Sequence, residues 1–361
     1  MSHAIDDPTE ILSRRLHNQH LARQQVREPG AMVAHLGAVQ SQDFSAALWA
    51  LALRLKDASL QLLHCAFDRG DILRTHVLRP TWHFVAPEDI RWMLALTAPR
   101  IRRSMANRER QLGMDPTLVS RSNDGIARAL EGGRAVTRSE LGVALTEADV
   151  DWRNDGGLLA HLASAAELAG VICSGPLKGA QHTYALVDER VPPARSVSRD
   201  EAVAELVCRY FTSHGPATLN DFAWWSGLTV VDARQGLAAF ADRFTSHKVG
   251  DLTYWFSAES VVGRMKSPLL LLPNFDEFTV AYRSRELFYP REIAYRPGPR
   301  YDAPFGNVIV VDGTVLGVWK RSVRGGKLTI EPEWFNPPSR KHAAAFDGAV
   351  AEYAAFMGLA L

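Results

Sequence analysis

Cysteine is scarce in this chain of 361 residues: Cys65, Cys173 and Cys208 are far apart, odd in number and outside any CxxC or Cys/His spacing. That excludes a disulfide framework and argues against a zinc site, so three buried thiols are expected. Lysine is scarce as well, 7 of the 41 basic residues, the other 34 being arginine. Long apolar runs are missing. The longest, PLLLLPNF, is far too short to cross a bilayer, and the opening MSHAIDDPTE has no basic segment leading into an apolar one. The expected location is therefore cytoplasmic, away from membranes. No GxGxxG, GxxxxGK[ST], HExxH or GxSxG occurs, which argues against a small-molecule enzyme built on a phosphate-cradling loop, a metal set or a serine nucleophile. No cofactor and no metal is expected.

What is present is a globular composition, 47% hydrophobic, with enough chain for two to four units with proper cores. The net charge of +1 hides an uneven distribution: residues 91–138 hold ten Arg, no Lys and four acids, Glu109, Asp115, Asp124 and Glu131. The planar fork of arginine suits phosphate, so these residues either line a groove for a nucleic-acid backbone or form a solvated helix face.

Order along the chain is more specific. Residues 133–193 read as a helix capped by Thr137 with Glu140 three positions on, a second helix in LLAHLASAAELAGVI, then two short strands in CSGPLKGAQHTYALVD. Helix, turn, helix and hairpin is the shape of a winged helix. The pattern recurs over 198–259, with a long first helix, a helix and turn in GPATLNDFAWWSG, a third helix and the strand pair FTSHKVG and LTYWFSA. The first hundred residues follow the same plan less cleanly, with helices in EILSRRLHNQHLAR, GAMVAHLGAVQ and SLQLLHCAFDRGD and a strand pair in ILRTHVLRPTWHFVAP broken near Arg79 and Pro80. Beyond 262 the texture turns to strands, with Asp312-Gly313 and Gly325-Gly326 as tight hairpin turns. A last helix carries Phe346, Val350, Tyr353 and Met357 on one stripe. The expected fold is α+β: three tandem winged-helix motifs at 1–115, 116–195 and 196–262, then a β-barrel or sheet with a docking helix at 263–361.

VQSQD, LRPTWHFVAPEDI, GPATLNDFAWWSGL and LLPNFDEFTVAYRSR, in this order and at this spacing, resemble the AlkZ-type DNA glycosylases, the winged-helix family that includes an azinomycin-resistance enzyme. The resemblance spans nearly the whole chain. It implies a concave channel for double-stranded DNA and excision of N7-alkylated guanine, including the unhooking of interstrand crosslinks in DNA repair or antibiotic self-resistance. The family motif of Gln, an apolar residue and Gln or Asp falls on Gln40, Ser41 and Gln42, with Ser41 departing from the aliphatic middle position. The resemblance thus makes Gln40 and Gln42 the catalytic pair.

Such a pair makes chemical sense. A guanine alkylated at N7 carries a positive charge and leaves readily, so little general acid is needed. What helps is a water held against the anomeric carbon and dipoles facing the oxocarbenium-like sugar, which two neutral amides supply beside phosphates. Positions two apart in an extended segment share a side, so Gln40 and Gln42 are expected to face together with Ser41 turned inward. The plainer alternative is that both glutamines satisfy loop backbone groups. Lys56 is the one lysine near the loop, so no Schiff-base lyase is expected and the product is an abasic site. A base crosslinked to the other strand cannot flip freely, which favours an open channel.

Further candidates rest on alternation and clustering. Along RPTWHFV, Arg79 and His83 are placed toward DNA with Trp82 inward, a structural His83 being the alternative. Asn274, Asp276 and Glu277 either line the site or brace a neighbouring arginine. Arg321, Arg324 and Lys327 form a basic finger for phosphates or a groove, or a solvated hairpin tip. Trp224 and Trp225 are expected to pack the third module. With no heptad seam, a monomer is expected. A non-enzymatic winged-helix regulator is the competing reading.

Overall fold

Capping residues set where the helices begin. In the computed structural model, which describes residues 7–194, 196–260, 268–289 and 306–361, Asp7, Asp43, Asp115, Asp155 and Ser339 each accept a backbone N–H of the first helical turn. Thr137 with Glu140, Thr218 with Asp221 and Thr229 with Asp232 form reciprocal capping boxes. The chain divides into two units, His64–Ala202 and the remainder, Met1–Leu63 with Val203–Leu361.

In the first of these, helices Arg138–Glu147 and Gly156–Leu168 lead into antiparallel strands Ile172–Ser174 and Thr183–Leu186, as expected for 133–193. Leu130, Leu141, Leu145, Leu162 and Ile172 meet in its core. A second hairpin pairs Leu73–His76 with Trp82–Val85. The arginine run lies on helices Ile90–Gln111 and Pro116–Leu130, with Arg100, Arg102, Arg103, Arg108 and Arg110 exposed. Of the three thiols, Cys173 and Cys208 are buried; Cys65 is half-buried, so the expectation of three buried thiols is corrected for it.

The other unit begins with helices Pro8–Asn18, Pro29–Leu36 and Phe44–Ala52. The helix expected through Gln40 stops at Leu36. Gly37 takes φ 82°, a left-handed value that an L side chain resists, and Val39–Gln40 leaves it as a short extended strand. Helices Leu219–Ser226 and Val230–Ala238 and the hairpin Phe244–Val249 with Leu252–Ser257 follow, where 198–259 placed them. The domain boundary at 262–263 lies outside the described residues.

The C-terminal strands form an open antiparallel sheet in the order Lys327–Trp334, Thr314–Arg324, Val308–Val311, Leu270–Leu272. No closed barrel exists among the described residues, which corrects the barrel expectation; strands of 8, 11, 4 and 3 residues are too few and too unequal to close around a core. Both hairpin turns are as expected. Asp312 and Gly313 have φ 50° and 83°, and Gly325 and Gly326 have 57° and 77°, the positive pairs that two-residue turns require. Helix Arg340–Met357 buries Phe346, Ala349, Tyr353 and Phe356, a stripe that keeps Phe346 and Tyr353 but replaces Val350 and Met357. The ring centroid of Trp49 lies 4.9 Å from that of Tyr353 and 5.1 Å from that of Phe356. Among the described residues no helix is long and apolar enough to cross a membrane.

Burial holds two histidines neutral. His20 is pushed down to about 4, by burial first and then by His35, His17 and Arg54; His182 is also pushed down to about 4, by burial and then by Arg74 and Arg138. Both folded values lie below the unfolded value of 6.5, so the unfolded chain binds more protons in between. The stability they contribute is complete above 6.5 and is lost as pH falls toward 4. A melting profile of the full chain is expected to drop through that window, and His20→Gln with His182→Gln to flatten the drop; an unchanged slope in the double variant contradicts the assignment.

Candidate active site

Gln40 ends its short strand buried, 6% exposed, and its backbone N–H donates to Glu277 Oε1 at 2.8 Å. Glu277 is itself 1% exposed. Its other oxygen accepts from Trp225 Nε1 at 2.9 Å and lies 3.5 Å from His214 Nε2. Burial pushes the His214 imidazole below its ordinary value, against the pull of Glu277. A buried carboxylate with converging N–H donors is tolerated because hydrogen bonds replace its hydration. The result is a fixed backbone position for Gln40.

The residue before Glu277 has an equally definite task. Asp276 Oδ1 and Oδ2 accept from Arg54 Nη2 and Nη1, both at 2.8 Å, a bidentate pair with side chains 0% and 1% exposed. Arg54 also donates to Ala50 O at 2.8 Å and Gln19 Oε1 at 2.9 Å. Gln19 in turn donates to Tyr282 OH at 3.0 Å. Asp276 is reached through Phe275, whose φ of 61° turns the chain out of strand Leu270–Leu272. Of the two alternatives for this cluster, bracing an arginine describes Asp276, and Glu277 braces the Gln40 backbone. Asn274 is half-buried, its Nδ2 3.4 Å from Asp43 Oδ2.

The loop after Gln40 does not extend as the alternation implied. The strand ends at Gln40, Ser41 is fully buried, and Gln42 is exposed. Asp43 then caps helix Phe44–Ala52 through Oδ1, 3.0 Å from Ala46 N. Ser41 does turn inward. One neutral amide is thus rooted in the interior and one presented at the surface, on a loop anchored at both ends.

Other candidates fall in several places. His83 is 0% exposed, and its Nδ1 lies 2.9 Å from Thr81 O, so that nitrogen carries the proton. Trp82 is half-exposed, with Arg74 4.4 Å above its ring. The expected facing is therefore reversed: register sets His83 opposite fully buried Thr75 on the inward face. Arg79 is half-buried, one residue after Leu78 at φ 62°. Arg324 and Lys327 face each other across the Gly325-Gly326 turn, both exposed. Arg321 is exposed and donates to Tyr353 OH. Trp225 is fully buried as expected, whereas Trp224 is 39% exposed and donates to Val280 O. Arg54 escaped sequence reasoning altogether; its signal was a lone guanidinium closing the apolar run FSAALWALAL.

Comparison with known proteins shows the family and the fold. The family model for AlkZ-like DNA glycosylases matches residues 33–356. An interstrand DNA cross-link repair glycosylase of Streptomyces sahachiroi is 23% identical over 329 residues, covering 86% of this chain and 87% of that protein. The solved structure of the Streptomyces sahachiroi DNA glycosylase AlkZ has a TM-score of 0.75 over 100% of this chain and 98% of that one, at 20% identity, a likeness of fold. The chain belongs to the AlkZ-like DNA glycosylases and is an enzyme that hydrolyses N-glycosidic bonds in DNA.

Proposed function

We propose that the enzyme excises N7-alkylated guanine, crosslinked guanine included, using a water positioned by Gln40 and Gln42. The observation that carries this is the clamp on the Gln40 backbone by Glu277, buried machinery beyond what a loop glutamine needs for itself. A cationic purine leaves with the bonding electrons on N9 and the sugar develops oxocarbenium character. Amide oxygens face that charge and orient water without the repulsion a carboxylate meets beside phosphates. Because the leaving group is already activated, the protein's contribution is mainly position, which a clamped backbone supplies.

DNA contact is assigned to the exposed Arg321, Arg324 and Lys327 hairpin and to Arg79. His83, being buried, supports its strand from behind. The helix and hairpin runs ending at Val85, Leu186 and Ser257 serve as three winged-helix modules, and the enzyme acts as a monomer on double-stranded DNA. Crosslink repair in the Streptomyces relative supports the inclusion of crosslinked guanine.

Release of 7-methylguanine from a methylated duplex is expected from the wild-type chain. It should fall by about 10²-fold in Gln40→Ala and in Gln42→Ala, with DNA affinity in a gel-shift assay retained. The double variant should fall little further, because the two amides hold one water. Borohydride should trap no covalent adduct. Wild-type activity in the double variant would remove the pair from the mechanism.

A further inference from the structure

Arginines on the helices of this protein commonly sit beside a carboxylate. Arg14 has Glu10 and Arg209 has Glu205, each one turn away on its own helix and each at 2.6 Å. Arg91, near the start of helix Ile90–Gln111, has Asp188 at 2.8 Å. The other five arginines of that helix, Arg100, Arg102, Arg103, Arg108 and Arg110, have no carboxylate partner among the described residues, and all five are exposed. Arg108 and Arg110 reach only the amide oxygens of Gln111 and Asn107, at 3.4 and 3.5 Å, which leaves their charge uncompensated. Glu109 is the one acid of the helix, and it is half-buried.

Helix chemistry accounts for part of this run. Arg108 and Arg110 lie in the last turn, where the negative end of the helix dipole attracts cations. Arg100, Arg102 and Arg103 lie more than a turn earlier, beyond that reach, and Arg100 and Arg103, one turn apart, repel. A face that only met water would be more stable with acids interspersed. Spacings of 3, 4 and 3 put Arg100, Arg103, Asn107 and Arg110 on one stripe, with Arg108 flanking it. At about 1.5 Å per residue the stripe runs about 15 Å. A DNA duplex carries about nine phosphate charges over that length, both strands counted.

The helix exposes no large apolar side chain, so it lacks the aromatic or aliphatic anchor around which protein interfaces are built. Guanidinium forks suit phosphate, and phosphate contacts fix position without reading bases. We infer that this face of helix Ile90–Gln111 is a sequence-independent holding surface for duplex DNA, Arg100, Arg103 and Arg110 each taking a backbone phosphate, on the reading that the enzyme works on double-stranded DNA. It belongs to the His64–Ala202 unit, whereas the hairpin of Arg321, Arg324 and Lys327 belongs to the other. Its use is in search: held through phosphates, the enzyme moves along undamaged duplex until the Gln40 loop meets a lesion.

The test measures the affinity of the full chain for a long undamaged duplex as salt is raised. Wild type is compared with Arg100→Gln/Arg103→Gln/Arg110→Gln and with the same three positions changed to Lys. Glutamine and lysine are both good helix formers, so the helix persists. Each phosphate contact contributes about 0.9 to the slope of log affinity against log salt, so the Gln triple is expected to flatten it by about two to three. The Lys triple keeps the charge and is expected to retain most of the slope. A control, Arg27→Gln/Arg69→Gln/Arg91→Gln, removes as much charge from arginines paired with Asp57, Asp71 and Asp188 and is expected to leave the slope unchanged. An unchanged slope in the first Gln triple overturns the holding surface and leaves a solvated or protein-facing helix. A control that flattens the slope as much also overturns it, since bulk charge then explains both. Wild type that binds neither undamaged nor methylated duplex sinks the underlying reading, and the holding surface with it.

Discussion

Two adjacent carboxylates, Asp276 and Glu277, are buried where neither can be solvated, and the geometry around Gln40 follows from how they are paired. Charge in a protein interior persists only with partners that replace water. Asp276 takes the Arg54 guanidinium at 2.8 Å through both oxygens. Glu277 takes the Gln40 and Trp225 N–H groups at 2.8 and 2.9 Å. Segments far apart in sequence, the Gln40 loop, the helix holding Trp225 and the strand exit at Phe275, are thereby tied to one point. Arg54 extends the tie to Gln19 and Tyr282.

On the proposed reading, the division of labour suits an enzyme whose substrate is already activated. An N7-alkylated purine departs without protonation, so strong acids and bases are unnecessary near the sugar. The carboxylates are withdrawn into the interior as braces, and of the two neutral amides Gln40 is buried beside them and Gln42 is exposed. Asp43, the acid nearest the pair in sequence, is partly exposed and engaged in a helix cap and an amide contact.

Much of this was legible in the sequence, unevenly. Helix starts at Thr137 and turns at Asp312-Gly313 and Gly325-Gly326 were readable because local chemistry alone decides them. The choice of Gln40 and Gln42 as a pair rests on family resemblance alone. What escaped depends on distant contacts. Gly37 ended a helix that composition would have continued, at a left-handed φ where a Cβ would also lie 3.3 Å from the Trp225 ring. Alternation placed His83 outward, whereas strand register set it opposite Thr75. The barrel failed for want of strand length. The pairing of Arg54 with Asp276 spans 222 residues, a separation no local pattern encodes.

The central claim is that Glu277 fixes Gln40 for chemistry. Glu277→Gln tests it most directly, since the amide is nearly isosteric but places an N–H against one of the donors now bound. Single-turnover base release should be measured together with hydrogen exchange at the Gln40 amide. Faster exchange at Gln40 together with base release slowed at least tenfold, DNA affinity being unchanged, is the predicted result. Wild-type release despite a loosened Gln40 amide contradicts the account, because the backbone clamp would then be irrelevant to the reaction.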